Sequence, residues 1–111
     1  MQEIDLLKLD FNLLVALRAL LEERNVTRAG EKIGLSQSAT SHALSRLRKV
    51  FDDPLLMRSG QDMLITSRAE ALIEPLQNIL VNIEQLIQPF TFDPKTAKVQ
   101  FILPHLIILL V

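Results

Sequence analysis

The chain has 111 residues, enough for one small domain with appendages, because domains cluster near about 100 to 150 residues. Its 12 basic and 13 acidic side chains leave a net charge of −1, which excludes a globally basic nucleic-acid binder and leaves only local charge to meet a polyanion. With no cysteine, disulfide scaffolds, thiolate metal sites and cysteine nucleophiles are excluded, and a reducing cytoplasm is compatible. Glu3, Asp5, Lys8 and Asp10 interrupt the N-terminal segment, so it does not read as a secretory signal.

Leu9 to Glu23 is predicted to be a helix. Phe11, Leu13, Leu14, Leu17, Leu20 and Leu21 form a wide apolar stripe that reads as scaffold core, although Phe11 or Leu14 could meet a partner subunit instead. Asn25 to Leu35 reads as a short helix and a tight turn. Thr27 is the expected N-cap, Gly34 stands where a helix end needs a left-handed residue, and Ser36 caps the next helix. Gly30 costs about 0.5 to 1 kcal/mol of helix propensity relative to alanine, a cost that a close helix crossing beside Ala29 would justify.

Ser36 to Val50 carries three positive charges and no acid. Thr40, Ala43, Leu44, Leu47 and Phe51 recur at helical spacing and form the face expected to be buried. Opposite them lie Ser38, His42, Ser45 and Lys49, flanked by Ser41 and Arg46, which can donate hydrogen bonds to base edges or phosphates. By composition alone, such a face suits a DNA groove or plain solvent equally well. The small-residue pair, glycine turn and polar helix in succession form the helix-turn-helix pattern, whose second helix enters the major groove, and this favours DNA. The helix should stop at Phe51, before Asp52-Asp53-Pro54.

Leu55 to Arg58 and Met63 to Thr66 are short apolar runs around the polar turn Ser59-Gly60-Gln61-Asp62, a hairpin signal. Arg58 and Ser59 fall at its tip, where an arginine could reach phosphates or the minor groove, or simply stand in solvent. Ser67-Arg68-Ala69-Glu70 fits a capping box that opens a long helix, with Thr66 as a rival cap. Pro75 is tolerable if that helix begins nearer Leu72. Leu72, Leu76, Ile79, Ile83 and Leu86 recur in steps of 4, 3, 4 and 3, a heptad seam. The seam could pack on the chain's own core, but it is longer than a small winged domain can cover, which favours a dimer. A two-fold protein implies a pseudo-palindromic double-stranded operator bound by a homodimer or higher homo-oligomer.

The tail ends in the six aliphatic residues Leu106 to Val111, far short of the roughly 20 needed to span a bilayer. It reads as a predicted aggregation site and as a fragment end left by truncation or frameshift, rather than as a membrane-touching or partner-binding tail.

From Leu9 to Gln88 the segments LDFNLLVALRALLEERNVTRAGEKIGLSQSATSHALSRLRKVF and DDPLLMRSGQDMLITSRAEAL resemble the N-terminal part of LysR-type transcriptional regulators, in their nodulation-regulator-like branch. The resemblance implies a mainly α fold: a winged helix-turn-helix of three helices plus a two-stranded wing over residues 1–66, followed by a long dimerisation linker helix over 67–89. Residues 90–111 would then be the hinge and first-strand remnant of an effector domain; with that domain absent, no small-molecule inducer is expected.

Matching the family's Ser-Gln-Pro-Ala-Leu-Ser-Arg run onto residues 36–42 implies that Gln37, Ser38, Ser41 and His42 read bases. The helical wheel agrees for three of them; Gln37 lies off the outward centre. Thr27, Ser36, Ser45, Arg46, Lys49, Arg58 and Ser59 are then phosphate or wing contacts. Three departures stand out: Ser38 replaces the usual proline, Thr40 an aliphatic residue, and His42 the usual arginine. Histidine exchanges a permanent charge for one that titrates near neutrality, so DNA affinity is expected to rise as pH falls. His42 is not read as a metal ligand, because His105 lies in another segment and no cysteine helps. No enzyme chemistry, metal or cofactor is expected. The expected function is a bacterial cytoplasmic DNA-binding transcription regulator. The alternative is an interaction-only fragment that pairs through its linker helix with a full-length relative and blocks its assembly.

Overall fold

The computed structural model describes residues 9–60 and 62–89, together with the backbone of four two-residue strands within 92–107. The chain divides into two compact units, Met1–Leu80 and Val81–Val111. In chain order the elements are α1 (Phe11–Glu23), α2 (Val26–Ile33), α3 (Gln37–Phe51), β1 (Leu56–Ser59), β2 (Asp62–Ile65) and α4 (Ser67–Ile87). This is the mainly α winged helix-turn-helix expected from the sequence, with a long helix appended.

Each of the first three helices starts on a side-chain cap. Asp10 accepts from the Asn12 N–H at 2.9 Å, Asn25 from the Arg28 N–H at 2.9 Å, and Ser36 from the Ala39 N–H at 3.1 Å. Each cap satisfies a donor that the helix itself leaves orphaned and contributes about 0.5–2 kcal/mol. Thr27, the expected cap of α2, is instead a residue inside its first turn. Asn25 takes the role because its backbone is extended, at φ −156° and ψ 123°, and asparagine is at least as good a cap as threonine. Gly34 closes α2 at φ 75°, as expected, and Asp52 closes α3 in the left-handed region at φ 49°.

The core brings together Leu13, Leu17, Leu20 and Leu21 of α1, Ala29 of α2, Ala43, Leu44 and Leu47 of α3, Leu55 just before the wing and Leu56 at the start of β1, and Ala69, Leu76 and Leu80 of α4. Full burial of each leucine contributes about 1.5–3 kcal/mol, which is what holds an eight-residue helix such as α2 in place. Thr40 is the buried polar residue of this core, at 0% exposure. Its hydroxyl donates to the Ser36 carbonyl at 2.8 Å, so the substitution of an aliphatic residue by threonine leaves no orphaned donor.

β1 and β2 pair antiparallel in the register Leu56↔Ile65 to Ser59↔Asp62. Ser59 and Asp62, both expected in the turn, are therefore paired in the ladder instead. Gly60, next after the ladder, stands at φ 64°, the left-handed region that tight hairpin turns favour glycine for.

α4 begins at Ser67, and Thr66 rather than Ser67 caps it: the Thr66 hydroxyl accepts from the Ala69 N–H at 3.1 Å and its carbonyl from the Glu70 N–H at 2.9 Å. Thr66 wins because its hydroxyl is itself fixed, donating to Asp53 Oδ2 at 2.6 Å. Pro75 consequently lies inside the helix rather than in its first turn, and leaves the Ala71 carbonyl without an intrahelical donor. Both residues are exposed.

In the second unit, the end of α4 is followed by two short antiparallel ladders, β3 (Phe92–Asp93) with β4 (Lys98–Val99), and β5 (Ile102–Leu103) with β6 (Leu106–Ile107). The expectation of a hinge and first-strand remnant over 90–111, like that of an aggregating tail, otherwise lies outside the described residues.

Candidate nucleic-acid interface

α3 is mounted on α2 through a contact that only glycine permits. A Cβ at Gly30 would lie 2.5 Å from Thr40 Oγ1 and 2.8 Å from the Leu35 carbonyl oxygen, the second of which is backbone and cannot swing aside. The crossing turns Thr40, Ala43, Leu44 and Leu47 inward. Ser38, Ser41, His42, Ser45 and Lys49 are left exposed along the other side, with Gln37 and Arg46 exposed beside them. The result is a strip of hydroxyls, one imidazole and cations, without a carboxylate on the helix itself. Such a strip can donate hydrogen bonds to base edges and meet phosphate charge. Ser36 is exposed but already accepts as the α3 cap, and its hydroxyl lies 3.3 Å from that of Ser38.

The three cations of α3 differ in what they already hold. Arg48 donates from Nε to the Pro54 carbonyl at 2.8 Å and from Nη2 to the Leu56 carbonyl at 2.7 Å, so it fastens the chain leading into the wing. Arg46 Nη1 lies 3.4 Å from Asp10 Oδ2, the carboxylate that caps α1. Lys49 has no carboxylate partner among the described residues and is the freest charge on the strip. By contrast, the cations around the α1–α2 corner are neutralised locally: Lys32 pairs with Glu22 and Glu23, and Arg28 Nε lies 3.7 Å from Glu23. The Glu22 hydrogen bond raises the Lys32 pKa above its ordinary value.

The segment between α3 and the wing carries backbone strain. Leu55 has φ 64°, and the Leu56 N–H reaches back to the Pro54 carbonyl at 2.6 Å, closing a γ-turn of the rarer, strained kind. A non-glycine residue there costs about 1–3 kcal/mol and persists only where its surroundings hold it. Leu55 is fully buried, its N–H donates to Asp53 Oδ2 at 2.8 Å, and its carbonyl accepts from the Thr66 N–H at 2.9 Å. The Asp53 pKa is lowered, first by the Thr66 hydroxyl and then by the Leu55 N–H. Arg68 lies 6.0 Å from the Phe51 ring centroid.

Thr27 is exposed on α2, and Arg58 and Ser59 are exposed on β1. The predicted seam of α4 separates into two groups. Leu76 is buried and Leu72 half-buried against the domain's own core, the packing that the sequence left open as an alternative. Ile79 and Leu86 are 46% and 61% exposed, and Ile83 is half-buried. Sequence reasoning missed the Asp10–Arg46 pair, the Arg48 fastening and the Asp53–Thr66 joint, all of which depend on partners brought together by folding. Among the described residues no group of three or more metal-ligating side chains is placed to hold a metal ion. Nor is any helix among them long and apolar enough to cross a membrane.

Three short helices, a tight α2–α3 crossing and a two-stranded wing define a winged helix-turn-helix protein. Residues 11–70 match the family of bacterial regulatory helix-turn-helix proteins of lysR type, and the chain belongs to that family. It is 49% identical over 85 residues to the HTH-type transcriptional regulator SyrM of Rhizobium etli, covering 77% of this chain and 25% of the relative. It is 46% identical over 94 residues to Nodulation protein D of Bradyrhizobium sp. (strain ANU 289), covering 84% and 28%. The chain thus spans about a quarter of the length of these relatives. Among solved structures, a probable transcriptional regulator from Pseudomonas aeruginosa superposes with a TM-score of 0.69 at 41% identity, over 75% of this chain and 28% of that one. The protein of the CbnR DBD–DNA complex superposes with a TM-score of 0.64 at 23% identity, over 70% and 90%, a likeness of fold.

Proposed function

We propose that this chain is the DNA-binding portion of a LysR-type transcription regulator, a bacterial cytoplasmic protein that acts on double-stranded DNA without enzymatic chemistry. Residues 1–66 form the DNA-binding domain and 67–89 the linker helix. α3 enters the major groove, with Ser38, Ser41 and His42 facing base edges and Gln37 reaching them from the first turn. Thr27, Ser36, Ser45, Arg46 and Lys49 face phosphates, and Arg58 and Ser59 act from the wing. The observation that carries this reading is the exposed, acid-free side of α3, held outward by the Gly30–Thr40 crossing.

A second copy pairs along α4, where Ile79 and Leu86 stand apolar in water one heptad apart. Two α3 helices then address a pseudo-palindrome with half-sites a helical turn or a multiple apart. The names of the relatives, transcriptional regulators and nodulation proteins, support the regulatory part of the proposal.

Selection of binding sites from a random duplex pool at fixed salt tests it, and enrichment of a palindromic sequence is expected. Ser41→Ala with Lys49→Ala should weaken binding to the enriched site, and Lys49→Ala alone should lower the salt slope by roughly one unit. A pool that shows no enrichment would overturn the proposal and favour an interaction-only partner of a longer relative.

A further inference from the structure

Asp10 performs two tasks with its two carboxylate oxygens. Oδ1 accepts from the Asn12 N–H at 2.9 Å and caps α1, while Oδ2 lies 3.4 Å from Arg46 Nη1, across 36 residues of sequence. Both side chains are part-exposed, 35% for Asp10 and 47% for Arg46, so the pair stands at the surface. They line one shallow groove with Lys49, Leu9, Leu13 and Val50. A guanidinium is a rigid planar fork of donors, so engaging one nitrogen restricts where the others can point.

We propose that Asp10 is a positioning residue for DNA binding: it sets the Arg46 guanidinium beside Lys49 and offsets its charge, lowering sequence-independent affinity for duplex DNA. The proposal rests on the DNA-binding reading of α3. An exposed ion pair is weak, so a phosphate can still draw on Arg46, but it has to compete with the carboxylate that already holds that guanidinium. Arg46 therefore contributes less counterion release than Lys49, which is paired with no carboxylate among the described residues. In this way the strip on α3 holds on to DNA less through charge alone and more through its hydroxyls and imidazole.

The test uses the whole chain, a mixed-sequence DNA duplex as probe, and affinities measured over a range of salt below the melting transition of every variant. Asp10→Asn removes the charge but keeps the cap, because asparagine caps helices as well as aspartate does. It should bind the duplex about two- to fivefold more tightly at low salt, with a salt slope steeper by up to roughly one unit. A role confined to capping would leave the slope unmoved. In an Arg46→Ala background the same change should have no effect. Equal binding by Asp10→Asn and the native chain would overturn the proposal. So would an equal gain in both backgrounds, since Asp10 would then repel phosphate by itself. If the native chain shows no salt-dependent duplex binding, the DNA-binding reading of α3 fails and this proposal with it, a result visible before any variant is compared.

Discussion

α3 and α4 are both amphipathic helices of one small protein, yet they treat their apolar side chains in opposite ways. α3 turns Ala43, Leu44 and Leu47 inward and, apart from Ala39 in its first turn and Val50 in its last, shows water a polar and cationic side. α4 turns Ala69, Leu76 and Leu80 inward but leaves Ile79, Val81, Leu86 and Ile87 exposed. An exposed polar strip without acids is content in water and gains from a polyanion; a row of exposed aliphatics gains only from another apolar surface. The two helices are therefore complementary devices, one suited to DNA and one to a protein partner.

The largest expected effect falls on the inward side of α3. Leu47→Ala should lose about 2–5 kcal/mol of stability by chemical denaturation, because Leu47 is 1% exposed and its loss leaves a cavity. Ser41→Ala or Lys49→Ala on the outward side should stay within about 0.5 kcal/mol of the native chain. Comparable losses on both sides would erase the distinction between them.

Next comes the mounting of α3. Gly30→Ala should destabilise by about 1–3 kcal/mol through overpacking, even though alanine is the better helix former, because the Leu35 carbonyl oxygen cannot yield. Duplex binding should fall with it, as α3 is tilted off its seat. A Gly30→Ala protein more stable than the native chain would show that α2 and α3 cross less tightly than their contacts indicate. For α4, Ile79→Glu with Leu86→Glu should abolish self-association in sedimentation while the helical circular dichroism signal persists. A monomeric native chain, or a variant that still associates, would remove α4 as the pairing surface.

What the sequence made legible follows from how local each cause is. The helix-turn-helix, Gly34, the Ser36 cap and the stop at Phe51 depend on neighbours within a few residues, and the spacing of Thr40, Ala43, Leu44 and Leu47 marks the buried side without any knowledge of the partner. The division of the α4 heptad was not legible, because Leu76 and Ile79 look alike in a repeat and only the size of the domain decides which of them it covers. The cap of α2 was misplaced for a smaller reason: Asn25 and Thr27 are both competent caps, and the end of α1 in a left-handed Arg24 leaves Asn25 extended. Arg46 is legible as an outward cation from its helical spacing, but its pairing with Asp10 is not, nor is the hold of Arg48 on the carbonyls of Pro54 and Leu56.

The smallest expected effect concerns the joint between the two helices. Asp53 follows α3, Thr66 caps α4, and one carboxylate oxygen accepts from the Thr66 hydroxyl at 2.6 Å and the Leu55 N–H at 2.8 Å. These bonds favour the ionised form and hold the folded-state pKa below its ordinary value of 3.8. A depressed carboxylate pKa stabilises the fold above the ordinary value, and that stability is lost as pH falls through the lowered one. Asp53→Asn keeps an acceptor oxygen but not the charge, so it should melt below the native chain at neutral pH. The gap should narrow as pH drops from 3.8 toward the lowered value, because the unfolded carboxylate is protonated first, and it closes only once the folded carboxylate is protonated too. Melting midpoints of both proteins from neutral to strongly acidic pH would check this. A gap that stays constant would mean that the joint is held by shape, through the buried Leu55 at φ 64°, and that the charge on Asp53 adds nothing. Either way the wing and α4 hang from the same short segment, so a weakened joint should loosen the wing without disturbing the Gly30–Thr40 seat of α3.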